Sequence, residues 1–199
     1  MKNQMRSLSI LLLSTFSVLF SSSALALDSG WWQSVLSEQP LNQVKSTIRT
    51  GGLWYRCDSE LSSSESTVSP NTFCLDEFNY YHQPLYGEVI LRQETTEFVF
   101  LAQFQWQIWN DLILNLRKDG LVIKSIHFDE EEFDVLSSLK NKSADDVDKE
   151  VILMMNRYPP EANRRIQWVR SSEFQSAFPS LEVSLISDGE MITLRVMRF

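Results

Sequence analysis

The chain has 199 residues, a formal net charge of −8, and 43% hydrophobic and 12% aromatic residues. That length suits one domain with a full core. The acidity argues against nucleic acid or anionic headgroups as partners, because both are repelled at long range.

The first 26 residues read as an export signal. Lys2 and Arg6 give a basic start, an apolar run extends from Ile10 to Phe20, and Ala24-Leu25-Ala26 places small residues where a signal peptidase reads. The run is short and interrupted by serine for a bilayer core of about 30 Å, so cleavage is expected rather than an uncleaved anchor. The expected product is residues 27–199, one periplasmic domain. The leader holds two of the 18 basic residues and none of the 26 acidic ones, so the remainder carries −10.

Trp31, Trp32, Val35 and Leu36 fall at helical spacing, which predicts a short helix over Trp31 to Val44, interrupted by Pro40. Gly51-Gly52 marks a turn, and Leu53 to Cys57 opens the first strand. Cys57 and Cys74 are the two cysteines. In an oxidising compartment they are expected to form one disulfide, worth roughly 3 kcal/mol in the chain-entropy model. The segment between them, Asp58 to Asn71, is serine-rich and poor in large apolar groups, as in an exposed loop.

From Tyr80 the pattern changes to period two. Phe98, Phe100, Ala102, Phe104, Trp106 and Ile108 line one face of a long strand, or of two strands joined by a bend. Asn110-Asp111 reads as a turn, Leu112, Leu114 and Leu116 as the next strand, and Asp119-Gly120 as a hairpin turn into a strand over Leu121 to Phe128. The acidic run Asp129 to Glu132 reads as a solvated connection, since four consecutive carboxylates do not converge on one ion. Ser143 is the expected N-cap of the one main helix, with Val147, Val151, Met154 and Met155 as its apolar stripe and Tyr158-Pro159-Pro160 as its stop. Arg165 to Val169 is a strand, with Ile166 and Trp168 on one face. Phe174, Ala177 and Phe178 make a short turn of helix. Leu181 to Leu185 and Ile192 to Val196 form a last hairpin across Asp188-Gly189.

The pattern predicts a mainly-β antiparallel barrel of about eight strands with one main α-helix and a short N-terminal helix. A chain ending in a strand favours closure, because an exposed final edge invites aggregation.

Chemistry is sparse. His82 and His127 have no ligand spacing for zinc, His127 with Asp129 is only an i, i+2 pair, and Glu94 with Glu97 is a common kind of surface pair. No nucleophile elbow, phosphate loop or His-Glu-x-x-His helix occurs. The expectation is a non-enzyme with no metal and no cofactor. Phe98, Phe100, Phe104 and Trp106 either pack the interior or line a pocket for a small apolar ligand. Arg164 and Arg165 beside Trp168 are candidates for an anionic headgroup or a partner's carboxylates, or else pair with the chain's own acids.

Gly52-Leu53-Trp54 resembles the Gly-x-Trp signature of lipocalin-type barrels. Over roughly residues 86–196, Trp106-Gln107-Ile108-Trp109-Asn110-Asp111-Leu112, a helix, Asn163-Arg164-Arg165-Ile166-Gln167-Trp168-Val169 and the terminal Asp-Gly hairpin resemble the periplasmic domain of ToxS-type regulatory proteins. The resemblance implies a lipocalin-like barrel and an accessory role. Such a protein binds and supports the periplasmic domain of a membrane-spanning regulator, in pairs that take up a bile salt. The leading expectation is therefore a periplasmic protein that binds a protein partner. The alternatives are a carrier or sensor of a small apolar or bile-like ligand, and an immunity protein that blocks a delivered toxin.

Overall fold

The computed structural model describes residues 29–57 and 71–199; the predicted export signal and the serine-rich segment 58–70 lie outside them. Pro40 divides the N-terminal region into two helices, α1 (Ser29–Leu36) and α2 (Leu41–Thr50), where one was predicted. Proline has no N–H to continue a helix but fits just before a new one, and Pro40 is the N-cap of α2. Nine strands follow: β1 (Tyr55–Arg56), β2 (Thr72–Tyr80), β3 (Gln83–Leu91), β4 (Thr96–Gln103), β5 (Leu121–Phe128), β6 (Glu131–Asp134), β7 (Arg164–Arg170), β8 (Leu181–Ser187) and β9 (Met191–Arg198). The helices among them are α3 (Trp106–Lys118), α4 (Val135–Leu139) and α5 (Ala144–Arg157).

The strands form one antiparallel sheet in the order β1-β2-β3-β4-β9-β8-β7-β5-β6. The mainly-β antiparallel class is as expected, but the sheet is not closed. Its ends are β1 and β6. The last strand is not an exposed edge that closure must hide: β9 pairs with β4 along one side and β8 along the other. The predicted Asp188-Gly189 hairpin is present, with Gly189 at φ 92°. The two true edges are short: β1 has two residues, and β6 has four, from the acidic run read as a plain connection. Cys57 and Cys74 form the expected disulfide, which ties the β1 end of the sheet to β2.

The largest departure lies between 104 and 118. The alternation of Trp106, Ile108, Leu112, Leu114 and Leu116 predicted strands, but these residues form α3. Its buried face is Trp109, Leu112, Ile113 and Leu116, the i, i+3, i+4, i+7 set of a helix. Leu114, which completes the period-two reading, is 53% exposed. Asp119-Gly120 is therefore the end of a helix and not a hairpin. Gly120 takes φ 84°, the left-handed conformation that both kinds of turn require. Arg117 and Lys118 in the last turn complement the helix dipole. With 13 residues, α3 matches the 14-residue α5, so there are two main helices. The predicted cap of α5 is as expected: the Asp146 N–H donates to Ser143 Oγ.

Helix α3 packs against both β3 and β5, which are separated in the sheet by β4, β9, β8 and β7. The sheet therefore curls around helices. Its concave face carries Phe78, Tyr80, Leu85, Val89, Phe98, Phe100, Ile126, Ile166, Trp168, Val183, Leu185, Leu194 and Val196, all buried in one core with Trp31 and Trp32 of α1. Two devices hold α1 there. At one end Asp119 accepts hydrogen bonds from Trp32 Nε1 (2.9 Å), Tyr80 Oη (2.7 Å) and Tyr81 Oη (2.7 Å). At the other, two buried arginines donate to the carbonyls at and beyond the end of α1. Arg170 reaches Leu36 and Ser37, and Arg198 reaches Val35, Ser37 and Gln39. Guanidinium groups at this negative helix end are favoured by the dipole as well as by the bonds.

Replacing Asp119 with Ala should destabilise the fold by about 2–4 kcal/mol, because the buried Trp32 N–H and Tyr80 O–H both lose their acceptor. Urea unfolding measures this, and a loss below about 0.5 kcal/mol would contradict the assignment.

Burial first, and then the Asp119 hydrogen bond and charge, push the Tyr80 phenol well above its ordinary range; the same causes push Tyr81 up to about 12. A phenol whose folded pKa is raised contributes stability fully below its unfolded pKa of about 10, and that contribution is lost as the pH rises further. Stability should therefore fall once the pH passes about 10. Tyr80 should form phenolate only on unfolding, and phenolate absorbance that rises with no step at the unfolding transition would contradict this.

Candidate functional site

The four aromatic residues proposed to line a ligand pocket fall into two pairs. Phe98 and Phe100 are fully buried on β4, their rings stacked with centroids 6.3 Å apart. Trp31 and Trp54 pack on both, and Phe78 and Trp32 pack on Phe100. Gly87 stands opposite Phe100 on β3, and a Cβ there would lie 2.7 Å from the ring. The glycine lets the ring cross over the neighbouring strand. Phe98 and Phe100 are therefore packing residues, and the interior they line is filled by the chain's own tryptophans.

Phe104 and Trp106 lie beyond the end of β4 and do something else. With Trp109 and Phe128 they surround the guanidinium of Arg164, whose Cζ is 5.4, 4.8, 5.6 and 5.5 Å from the ring centroids of Phe104, Trp106, Trp109 and Phe128. Arg164 Nε donates to the Ala162 carbonyl, and Nη2 donates to the carbonyls of Pro159 and Pro160. Nη1 has no hydrogen-bond acceptor among the described residues. Burial lowers the pKa of the group, while Glu161 and Asp129 act to raise it. Ring faces and carbonyls thus take the place of a carboxylate partner.

The proposed partner-binding set divides in the same way. Successive residues on a strand face opposite sides. Arg164, Ile166 and Trp168 point inward and are buried, while Arg165 points outward and is exposed. Trp168 has no exposed surface for a partner, and Arg164 serves the interior. Arg165 alone of the three meets solvent.

Of three concave sites, two border these residues and one lies apart from them. At the ends of β5, β7, β8 and β9, a groove of about 400 Å³ is lined by His127, Asp129, Arg164, Arg165, Asp188 and Met191, among others. His127 and Asp129 do not form a dyad. Asp129 sits in a turn at φ 47°, and Nε2 of His127 lies 3.4 Å from Glu132 across the β5–β6 pair. A second groove of about 430 Å³ is mainly apolar, lined by Leu121, Ile123, Val135, Leu139, Val151 and Phe174, with Arg117 and Asp148 also bordering it. A third, of about 310 Å³, lies between Trp106 and Trp109 of α3 and Ile152 and Met155 of α5, beside Tyr158.

Of the remaining sequence candidates, Glu97 is held by Arg92 (2.7 Å) and Arg195 (3.5 Å), and His82 is exposed in the β2–β3 turn. Among the described residues no group of three or more His, Cys, Asp or Glu side chains is placed to hold a metal ion. Sequence reading missed the apolar groove, because its lining comes from five separate segments. It also missed Trp109 and Phe128 as walls of the Arg164 box. The helical spacing of Trp109 with Leu112, Ile113 and Leu116 was the available signal for the first, whereas no local pattern marks Phe128. No family model, curated protein or solved structure matches the chain.

Replacing Arg164 with Ala should empty the aromatic box and destabilise the fold by about 3 kcal/mol, through lost packing, ring–cation contact and carbonyl bonds. Millimolar methylguanidinium should then raise the melting temperature of the variant and not that of the original chain. Equal effects on both would show that the rings do not form a cation box.

Proposed function

We propose that this is a non-enzymatic exported protein whose work is to bind another protein, as an accessory to the periplasmic domain of a membrane-bound regulator. The observation that carries the reading is a group of exposed apolar side chains on the outer face of the sheet. Tyr86 on β3 stands directly opposite Leu101 on β4, and Met191 on β9 shares their face. They are 58, 40 and 41% exposed. Large apolar side chains clustered on an otherwise charged surface are the usual core of a protein interface. The disulfide fits an oxidising, non-cytoplasmic compartment, and no helix among the described residues is long and apolar enough to cross a membrane. The open sheet also supports the reading, since β6 pairs on one side only among the described residues.

Affinity capture from a periplasmic and membrane extract, with partners identified by mass spectrometry, tests this. Recovery of a membrane protein with an exported domain is expected. Tyr86→Lys and Leu101→Lys should reduce that recovery about tenfold or more, as hot-spot changes do. Capture of nothing above background, or of the same proteins by both variants, would remove the reading.

The apolar groove beside α4 and α5 favours a second reading, the binding of a small apolar ligand. Its volume of about 430 Å³ lies within the usual range for small-molecule sites. Under this reading Leu121, Ile123, Val135 and Phe174 hold the ligand in place of the Phe98–Phe100 face. Native mass spectrometry of gently purified protein should then show a bound species that Val135→Glu abolishes. A ligand-free mass throughout would count against it.

A further inference from the structure

Two arginines and two aspartates share the groove at the ends of β5, β7, β8 and β9, and no ion pair joins any of them. Several cations elsewhere in the chain sit on carboxylates: Arg92 and Arg195 on Glu97, Arg157 on Glu131, Lys142 on Glu150. In the groove the backbone holds opposite charges apart. The Arg164 guanidinium is drawn inward by the carbonyls of Pro159, Pro160 and Ala162. Asp129 Oδ1 accepts from the backbone N–H (3.2 Å) and Nδ2 (3.4 Å) of Asn163. Asp188 Oδ1 accepts from the N–H groups of Glu190 (2.9 Å) and Met191 (3.0 Å), which hold its carboxyl below the usual range. Both Oδ2 atoms are left without a partner among the described residues. The guanidinium of Arg165, exposed on the outer face, makes neither a hydrogen bond nor an ion pair among them.

We propose that this groove binds a small zwitterion of the α-amino acid type. Its oxyanion would take the Arg165 guanidinium in the field of Arg164, and its ammonium the free oxygens of Asp129 and Asp188. Arginine presents a planar fork of donors suited to a carboxylate, and an ammonium needs oxygen acceptors only. The charges lining the groove cancel, so neither sign dominates within it. A chain of net charge −8 repels a plain anion, and Arg165 repels a plain cation. A molecule carrying both charges meets neither objection. Ile186 and Met191 border the same groove and give an apolar side chain somewhere to lie.

An ammonium beside an oxyanion occurs both in free amino acids and in ethanolamine phosphate headgroups, and the experiment separates the two. The full exported chain is titrated by calorimetry and amide NMR with leucine, with methionine, with O-phosphoethanolamine and with phosphatidylethanolamine vesicles. The N-acetyl and carboxamide derivatives of leucine, each lacking one charge, are added in parallel. Saturable millimolar binding of a free amino acid is expected, with shifts at residues 127–129, 163–165 and 186–191. Each blocked derivative should bind about tenfold more weakly, the loss of one charge-assisted contact. Binding of phosphoethanolamine and vesicles alone would assign the same chemistry to a headgroup.

Arg165→Gln and Asp129→Asn should each weaken binding about tenfold, while Lys140→Gln, on the exposed end of α4, should not. Asparagine keeps the oxygen that caps Asn163 and tolerates the left-handed backbone of position 129, so that variant folds. Blocked derivatives that bind as well as leucine, or no saturable binding by any of the zwitterions, would overturn the proposal.

Discussion

The structure depends on the seating of Trp31 and Trp32 in the hollow of the sheet. A curled sheet has a concave face too large to be closed by its own side chains, and here seven strands, β2-β3-β4-β9-β8-β7-β5, turn that face inward. The two indoles fill it. Trp31 lies edge-on to Trp54 and Phe78 with centroids 5.2 and 4.7 Å apart, and Trp32 packs on Phe78, Tyr80 and Phe100 at 5.5, 4.9 and 5.6 Å. Burial of two such side chains, at about 25 cal/mol per Å² over 150–250 Å² each, is among the larger single contributions available to a domain of this size. An eight-residue helix would not form alone in water, so α1 exists because its tryptophans are held. Asp119, Arg170 and Arg198 satisfy the polar groups that this docking takes out of solvent.

Filling from within decides where the protein can meet anything else. A barrel closed by strands has a lumen and two mouths. A sheet wrapped on helices has no lumen at the level of Phe98 and Phe100, and its recognition surfaces move to the outer face, the strand ends and the spaces between helices. The exposed Tyr86–Leu101 pair, the charged groove around Arg165 and the apolar groove beside α5 occupy these three positions. Arg164 marks the boundary between interior and groove. Its guanidinium belongs to the aromatic box while its charge is felt outside.

Much of this was legible in the sequence, and the failures have physical causes. The hairpin across Asp188-Gly189, the cap at Ser143, the stop at Tyr158-Pro159-Pro160 and the disulfide follow from local chemistry that tertiary packing does not override. The Trp106–Lys118 segment was misread because Leu112, Leu114 and Leu116 satisfy period two while Trp109, Leu112, Ile113 and Leu116 satisfy period 3.6. Only burial separates them, and Leu114 is the exposed one. Asp119-Gly120 carries a left-handed glycine either way, so the dipeptide does not distinguish a hairpin from a helix end. The parity of Arg164, Ile166 and Trp168 was readable, and it shows that neighbouring Arg164 and Arg165 face opposite sides. The contact of Asp119 with Tyr80 and Trp32, and of Phe128 with Arg164, joins residues far apart in the chain and left no local trace.

The most direct measurement is the near-ultraviolet circular dichroism and urea unfolding of the doubly substituted Trp31→Ala, Trp32→Ala chain. With the hollow emptied, the aromatic core should lose fixed packing. The near-ultraviolet signal should collapse while far-ultraviolet strand content persists, and unfolding should lose its cooperativity. A variant that keeps the near-ultraviolet spectrum and a sharp transition near the original midpoint would mean that the sheet supports its own shape without α1.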